Sequence, residues 1–222
     1  MRVTLARPWL VADLGAPLRT LGWALNRPGF ATARRIAWRE VRNADLTPAL
    51  DVHAWLDREL DGAGVADAVA MVTSRDLSRH VLRSAAVEDA AADCLATVGL
   101  SNAERVGARI RPGAVGPGTI NLAVRLSTPL ADGALVEALS IAAEARTAAV
   151  IAASPDRPGG RITGTGTDCI VVAAPPGTGA YAGLHTPLGE AIGRAVYDAV
   201  RAGADDWWRT SAGAVPSHTI SV

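Results

Sequence analysis

The chain has 222 residues, 49% hydrophobic and 20% charged, which suits one compact domain and excludes disordered, collagen-like and coiled-coil chains. Twenty-two basic residues balance 22 acidic ones, so the charge favours neither nucleic acid nor an anionic membrane surface. Every basic residue is arginine, which excludes a Schiff-base or general-base lysine.

Charge and proline interrupt residues 1–8, so a secretory leader is not expected. No apolar run approaches the ~18 residues of a membrane span, and the expectation is a soluble, cytoplasmic protein. Its two cysteines, Cys94 and Cys169, are then expected to be reduced thiols. Together with four scattered histidines they give no disulfide framework and no zinc-ligand spacing, so no metal is expected.

Residues 9–14 form an apolar run closed by Gly15-Ala16-Pro17, and residues 18–25 a second one closed by Asn26-Arg27-Pro28-Gly29. Residues 33–41 then alternate, so an antiparallel meander is expected at the start. Arginine dominates residues 1–42 and acids dominate residues 43–104. The two regions are expected to pair in space or to face one bound group, unless both are solvated faces. Thr47-Pro48 reads as a helix start, with an apolar stripe of Leu50, Ala54, Trp55 and Leu60 and stop signals at Gly62 and Gly64.

Residues 66–73 read as a buried strand, 74–80 as a turn or two of helix, and 81–87 and 90–98 as strands. Residues 99–117 read as loop. Residues 119–126, 131–152, 168–174 and 187–202 then read strand, helix, strand, helix. The fold expected is α/β, a single layered domain with a mixed β-sheet, an antiparallel N-terminal meander and a βαβα C-terminal half, over residues 1–204. Residues 205–222 lack periodicity and are expected to be a disordered tail, apart from Trp207 and Trp208 docking on the body.

Three segments offer chemistry. Thr163-Gly164-Thr165-Gly166-Thr167-Asp168-Cys169 is glycine-rich but precedes a strand, whereas phosphate loops follow a strand and open a helix. It offers closely approachable backbone, hydroxyls and one carboxylate. The alternative is a tight turn with Asp168 bonded to neighbouring amides. In Gly183-Leu184-His185-Thr186-Pro187-Leu188-Gly189-Glu190, Thr186 is a helix cap with Pro187 at the first helical position. His185 then sits outside the positive end of that helix, a field that favours a neutral ring suited to general-base work. Glu190 either joins it or simply pairs with Arg194 one turn on. The third segment runs from Gly99 through Ser101, Asn102 and Glu104 to Gly107. Asn102 and nearby amides would suit an oxyanion and Ser101 a nucleophile; otherwise this is a polar turn with a surface salt pair.

These segments resemble the adenosylcobinamide amidohydrolase family, CbiZ. The resemblance rests on Gly99-Leu100-Ser101-Asn102-Ala103, the strand and helix block of residues 119–149, Thr163-Gly164-Thr165-Gly166-Thr167-Asp168 and Gly183-Leu184-His185-Thr186-Pro187-Leu188-Gly189-Glu190. It covers about residues 65–202 and fades before them, where Leu21-Gly22-Trp23-Ala24-Leu25-Asn26 and Asp45-Leu46 depart from the family's pattern.

The resemblance implies hydrolysis of the amide joining a corrin propionyl arm to aminopropanol, giving adenosylcobyric acid in cobamide salvage. The corrinoid is then substrate, with no cofactor, no nucleic acid and no membrane, and a homo-oligomer is possible. Amide hydrolysis needs a base, an acid and an oxyanion donor. His185, Glu190 and Asp168 are the catalytic candidates on chemical grounds, and Ser101, Asn102, Thr165, Gly166 and Thr167 the substrate-binding ones. Ser101, Asn102, Asp168, His185 and Glu190, far apart in sequence, are expected to converge at one cleft, since each sits at a strand or helix end. Two alternatives stand beside this: a non-catalytic corrinoid-binding or partner-binding homologue, and a hydrolase whose nucleophile is Thr119 or Thr165, freed by chain cleavage after Gly118 or Gly164.

Overall fold

In the computed structural model, residues 1–108, 118–156 and 160–211 are described. The alternating N-terminal segments form β1 (Arg2–Ala6), β2 (Trp9–Gly22) and β3 (Gly29–Glu40), an antiparallel meander as expected. Gly15-Ala16-Pro17 does not end a strand. It forms an irregularity within one long β2, where the register against β3 shifts between Asp13 and Leu18 and Gly15 takes φ +89°.

Helix α1 (Val52–Gly62) starts at Asp51, whose carboxylate accepts from the Ala54 amide at 3.0 Å, and not at Thr47-Pro48. Its buried positions are Leu56 and Leu60. Strands β4 (Val69–Thr73), β5 (Val81–Val87) and β6 (Ala90–Val98) follow, then a two-residue β7 (Ala103–Glu104) inside the segment read as loop. The C-terminal half is β8 (Ile120–Leu126), α2 (Asp132–Ala153), a two-residue β9 (Gly164–Thr165), β10 (Cys169–Ala174) and α3 (Pro187–Ser211).

One mixed sheet orders the strands β4-β3-β2-β10-β8-β6-β5, with β1 beside β2. Strand β10 runs parallel to β8 and antiparallel to β2, so the two halves of the chain join at its centre. The helices α2 and α3 cover β6, β8 and β10, and the predicted stripe of Leu188, Ile192, Ala195, Val196 and Ala199 is buried there. Leu135 is buried in the same core, and Leu139 packs partly buried against it. Helix α1 covers Ala37 and Ala70 of β3 and β4.

The other face of the sheet curls onto itself: Ile36, Trp38, Val69 and Met71 share a core with Leu95, Ala123 and Val171. Trp38 is fully buried in it, and truncating such a side chain costs about 3–5 kcal/mol. The curl brings Asn121 of β8 against β4, where its Nδ2 donates to the Val72 carbonyl at 2.9 Å.

The charge complementarity read from sequence is a real pairing. Arg7 meets Asp76, Arg35 meets Asp67, and Arg39 meets Glu59 at 2.6 Å. The C-terminal expectation is corrected at its start, because α3 continues to Ser211. Asp206 anchors that extension by accepting from Arg75 at 2.7 Å and Arg79 at 3.1 Å, and Arg75 lies 5.0 Å from the Trp207 ring centroid. Residues 212–222 lie outside the described residues, as do 109–117 of the long loop. No helix among the described residues is long and apolar enough to cross a membrane.

Candidate active site

The glycine-rich segment enters β10 as a turn built around Asp168. The Thr165 amide donates to both carboxylate oxygens, at 3.2 and 3.1 Å, and the Thr165 hydroxyl donates to one of them. The Ile120 amide donates at 3.1 Å from the neighbouring β8. Arg146 of α2 closes the set as an ion pair. This is the turn-forming alternative given above for Asp168. Its oxygens are saturated, and it fastens β8, α2 and the loop to one another.

Close approach explains two of the glycines. A Cβ at Gly164 would press on Arg146 and come 2.7 Å from Asp168 Oδ2. One at Gly118 would come 2.7 Å from both Asn102 Oδ1 and Ser101 Oγ. The Thr167 hydroxyl donates to the Gly118 carbonyl at 2.8 Å, and Asn102 Nδ2 lies 3.5 Å from that hydroxyl. Ser101, Asn102, Thr165, Gly166, Thr167 and Asp168 therefore gather at the N-terminal end of β10. Trp23 flanks this end, donating from its indole to the Asp168 carbonyl at 2.5 Å.

A cleft of about 680 Å³ opens beside them, between residues 104–108, Arg146 and Thr147 of α2, and the 163–168 segment. Pairing of β7 with β9 sets its wall, and Val106 N donates to the Thr163 hydroxyl at 2.7 Å. Glu104 and Arg105 both line the cleft.

His185 and Glu190 do not join this cleft, which corrects the expected convergence. The six residues of β10 span about 20 Å, and the loop that leads to His185 leaves from the opposite end. That loop is tied to the start of α2: Leu130 N donates to Pro175 O at 2.9 Å, and Ala182 N to Glu137 Oε2 at 2.6 Å. Thr186 caps α3 as expected, accepting from Gly189 N at 2.9 Å. His185 is exposed there, and Glu190 pairs with Arg194 at 2.5 Å, the plain alternative for that residue. Leu184 lines a separate cleft of about 410 Å³ between α2 and α3.

The nucleophile alternatives are constrained by the same contacts. The Thr119 hydroxyl is buried, 2.7 Å from the Thr167 carbonyl and 3.0 Å from Asn121 Oδ1, and the Thr165 hydroxyl is engaged by Asp168. Burial, with the neighbouring Asp168 charge, pushes the Cys169 thiol up to about 12, so it stays protonated at neutral pH. Among the described residues no three His, Cys, Asp or Glu side chains gather in a way that would hold a metal ion.

The molecule is thus a mixed α/β protein in which an aspartate turn, threonine hydroxyls and the Asn102 amide gather at one end of β10, beside an open cleft. The chain belongs to the adenosylcobinamide amidohydrolase family CbiZ, whose model matches residues 1–212. That match includes the N-terminal third, where the resemblance read from the motifs fades. An adenosylcobinamide amidohydrolase of Halobacterium salinarum is 40% identical over 91 residues, 40% of this chain and 37% of the relative. An uncharacterised protein of Methanocaldococcus jannaschii is 41% identical over 83 residues, 36% of this chain and 32% of the relative. The aligned part thus spans about a third of the length of these curated relatives.

Proposed function

We propose that the protein hydrolyses adenosylcobinamide, cleaving the amide between the corrin propionyl arm and aminopropanol to release adenosylcobyric acid. Membership of the family over residues 1–212 carries this reading. The cleft supports it chemically: a corrinoid is flat and rimmed with amides, and the threonine hydroxyls and open backbone that line the cleft, with the Asn102 amide beside them, match that rim.

Water attacks the amide carbon while the developing oxyanion takes hydrogen bonds. The C–N bond then breaks as the amine nitrogen takes a proton. Asn102 suits the oxyanion, because Nδ2 carries two protons and its 3.5 Å contact with Thr167 uses at most one. Thr165 and Gly166, which line the cleft, offer the wall on which the arm rests, with Thr167 next to them.

The test is to incubate the purified protein with adenosylcobinamide and follow adenosylcobyric acid and aminopropanol by mass spectrometry. Equimolar appearance of both supports the reading. Corrinoid binding with no product over many hours would make the protein a binding homologue.

A further inference from the structure

Two carboxylates line the cleft among the described residues, Glu104 and Asp168, and no histidine does. Their situations differ. Asp168 accepts from Thr165, Ile120 and Arg146 and has nothing left to offer a substrate. The Glu104 carboxylate has no hydrogen-bond or ion-pair partner among the described residues, although its backbone is fixed on both sides. Glu104 pairs with Gly164 across the short β7–β9 ladder, and its carbonyl accepts from Thr163 N at 2.8 Å.

The side chain is aimed at a definite place. The point that a Cβ at residue 166 would occupy lies 3.2 Å from Glu104 Oε1 and 3.9 Å from Asn102 Nδ2. A carboxylate and an amide donor thus face the same space, which Gly166 leaves open by having no side chain. A proton carrier and an oxyanion donor need this relation across a scissile carbonyl and its attacking water.

We infer that Glu104 is the catalytic residue that carries the proton in amide cleavage, taking it from the attacking water and delivering it to the departing amine. The step balances: hydroxide adds to the carbonyl carbon, the C–N bond breaks, and the proton passes through the Glu104 carboxylate to nitrogen. This inference rests on the amidohydrolase reading above and assigns to Glu104 the role considered for His185.

The experiment measures kcat and KM for adenosylcobinamide on the wild type, Glu104→Gln and Glu104→Asp, with corrinoid binding by equilibrium dialysis and kcat as a function of pH. Glu104→Gln should lower kcat by about 10²- to 10⁴-fold with binding within about threefold. The fall in wild-type kcat toward acid pH should be missing from its residual rate, and Glu104→Asp should keep that pH limb at reduced kcat. Wild-type turnover with kcat retained in Glu104→Gln overturns the inference and leaves the amidohydrolase reading standing. Loss of binding and melting temperature together, with the pH limb unchanged, overturns it in favour of a structural role. Absence of wild-type turnover removes the reading on which it rests.

Discussion

The guanidinium of Arg146 on α2 pairs with the carboxylate of Asp168 at the entrance to β10, joining the helix layer to the sheet beneath the cleft. Both side chains are largely withdrawn from water, at 16% and 7% exposure. Arg146 also lies 3.3 Å from the Thr163 carbonyl, so it holds both ends of the glycine-rich turn. Breaking a buried pair from one side leaves a charge without compensation, which costs about 3–5 kcal/mol. Asp168→Asn and Arg146→Met should each lower stability by that order in urea unfolding, and the double variant by less than the two effects added. A wild-type unfolding midpoint for Asp168→Asn would refute the anchoring role.

Two glycines offer a test of where space matters. Gly118→Ala places a methyl 2.7 Å from Asn102 Oδ1 and 2.9 Å from Ser101 N, so the Ser101-Asn102 turn must move outward. Displacing a positioning group by about 1 Å can cost 10²-fold in rate, and turnover of adenosylcobinamide should fall toward that extent. Gly133→Ala, in the first turn of α2, meets nothing within 4 Å. It should leave turnover unchanged and raise stability by about 0.5–1 kcal/mol. Equal effects of the two on activity would show that the cleft is not the site.

His185 stands exposed before the capped end of α3, beyond the far end of β10 from Asn102 and Glu104. His185→Ala should therefore keep turnover within about threefold, since a general acid-base role would cost at least about 10²-fold. Thr186, which both caps the helix and donates to Gly183 O at 2.8 Å, is the structural residue of that segment. Thr186→Ala should lower stability by about 1 kcal/mol, as loss of an N-cap does. A large loss of turnover in His185→Ala with an unchanged melt would move the chemistry to the α3 end.

Local signals carried most of the architecture. The Thr186-Pro187 start and the apolar stripe of α3 are properties of neighbouring residues, and both are present as read. The arginine-rich and acidic stretches also announced their pairing, because opposite charge clusters are complementary at any separation. Gly15-Ala16-Pro17 misled for the converse reason. These are turn formers, but the ladder with β3 on either side holds the chain extended through them.

Which residues would lie together was legible only in part. Asp168 and His185 both lie at element ends, but a layered sheet has two ends, and nothing local to His185 states which one it occupies. Glu104, the proton carrier inferred above, is not marked by its neighbours: beside Arg105 it looks like half of a surface pair, whereas the ladder that fixes it runs to Gly164, sixty residues away. The signal available was Gly99-Leu100-Ser101-Asn102-Ala103, which places Glu104 next to two site candidates.

The last prediction concerns acid stability. Asp93 of β6 is partly buried, which alone would raise its pKa. The Ser84 hydroxyl at 2.7 Å, the Met1 ammonium at 2.9 Å and Arg125 at 3.2 Å outweigh burial and hold it below the ordinary carboxylate value. A carboxylate whose folded pKa is depressed binds fewer protons folded than unfolded at acid pH. Its stabilisation is therefore full above the unfolded value of about 3.9 and is lost as pH falls through the folded one. Asp93→Asn removes the charge from these bonds and should cost about 1–2 kcal/mol at pH 7, below the roughly 1.5–3 kcal/mol of a fully buried charged hydrogen bond because water partly screens the site. The gap between wild type and variant in urea unfolding should hold from pH 7 to about 5 and close below about pH 4. A gap that stays constant down to pH 2 would mean that Asp93 matters through shape and not through charge.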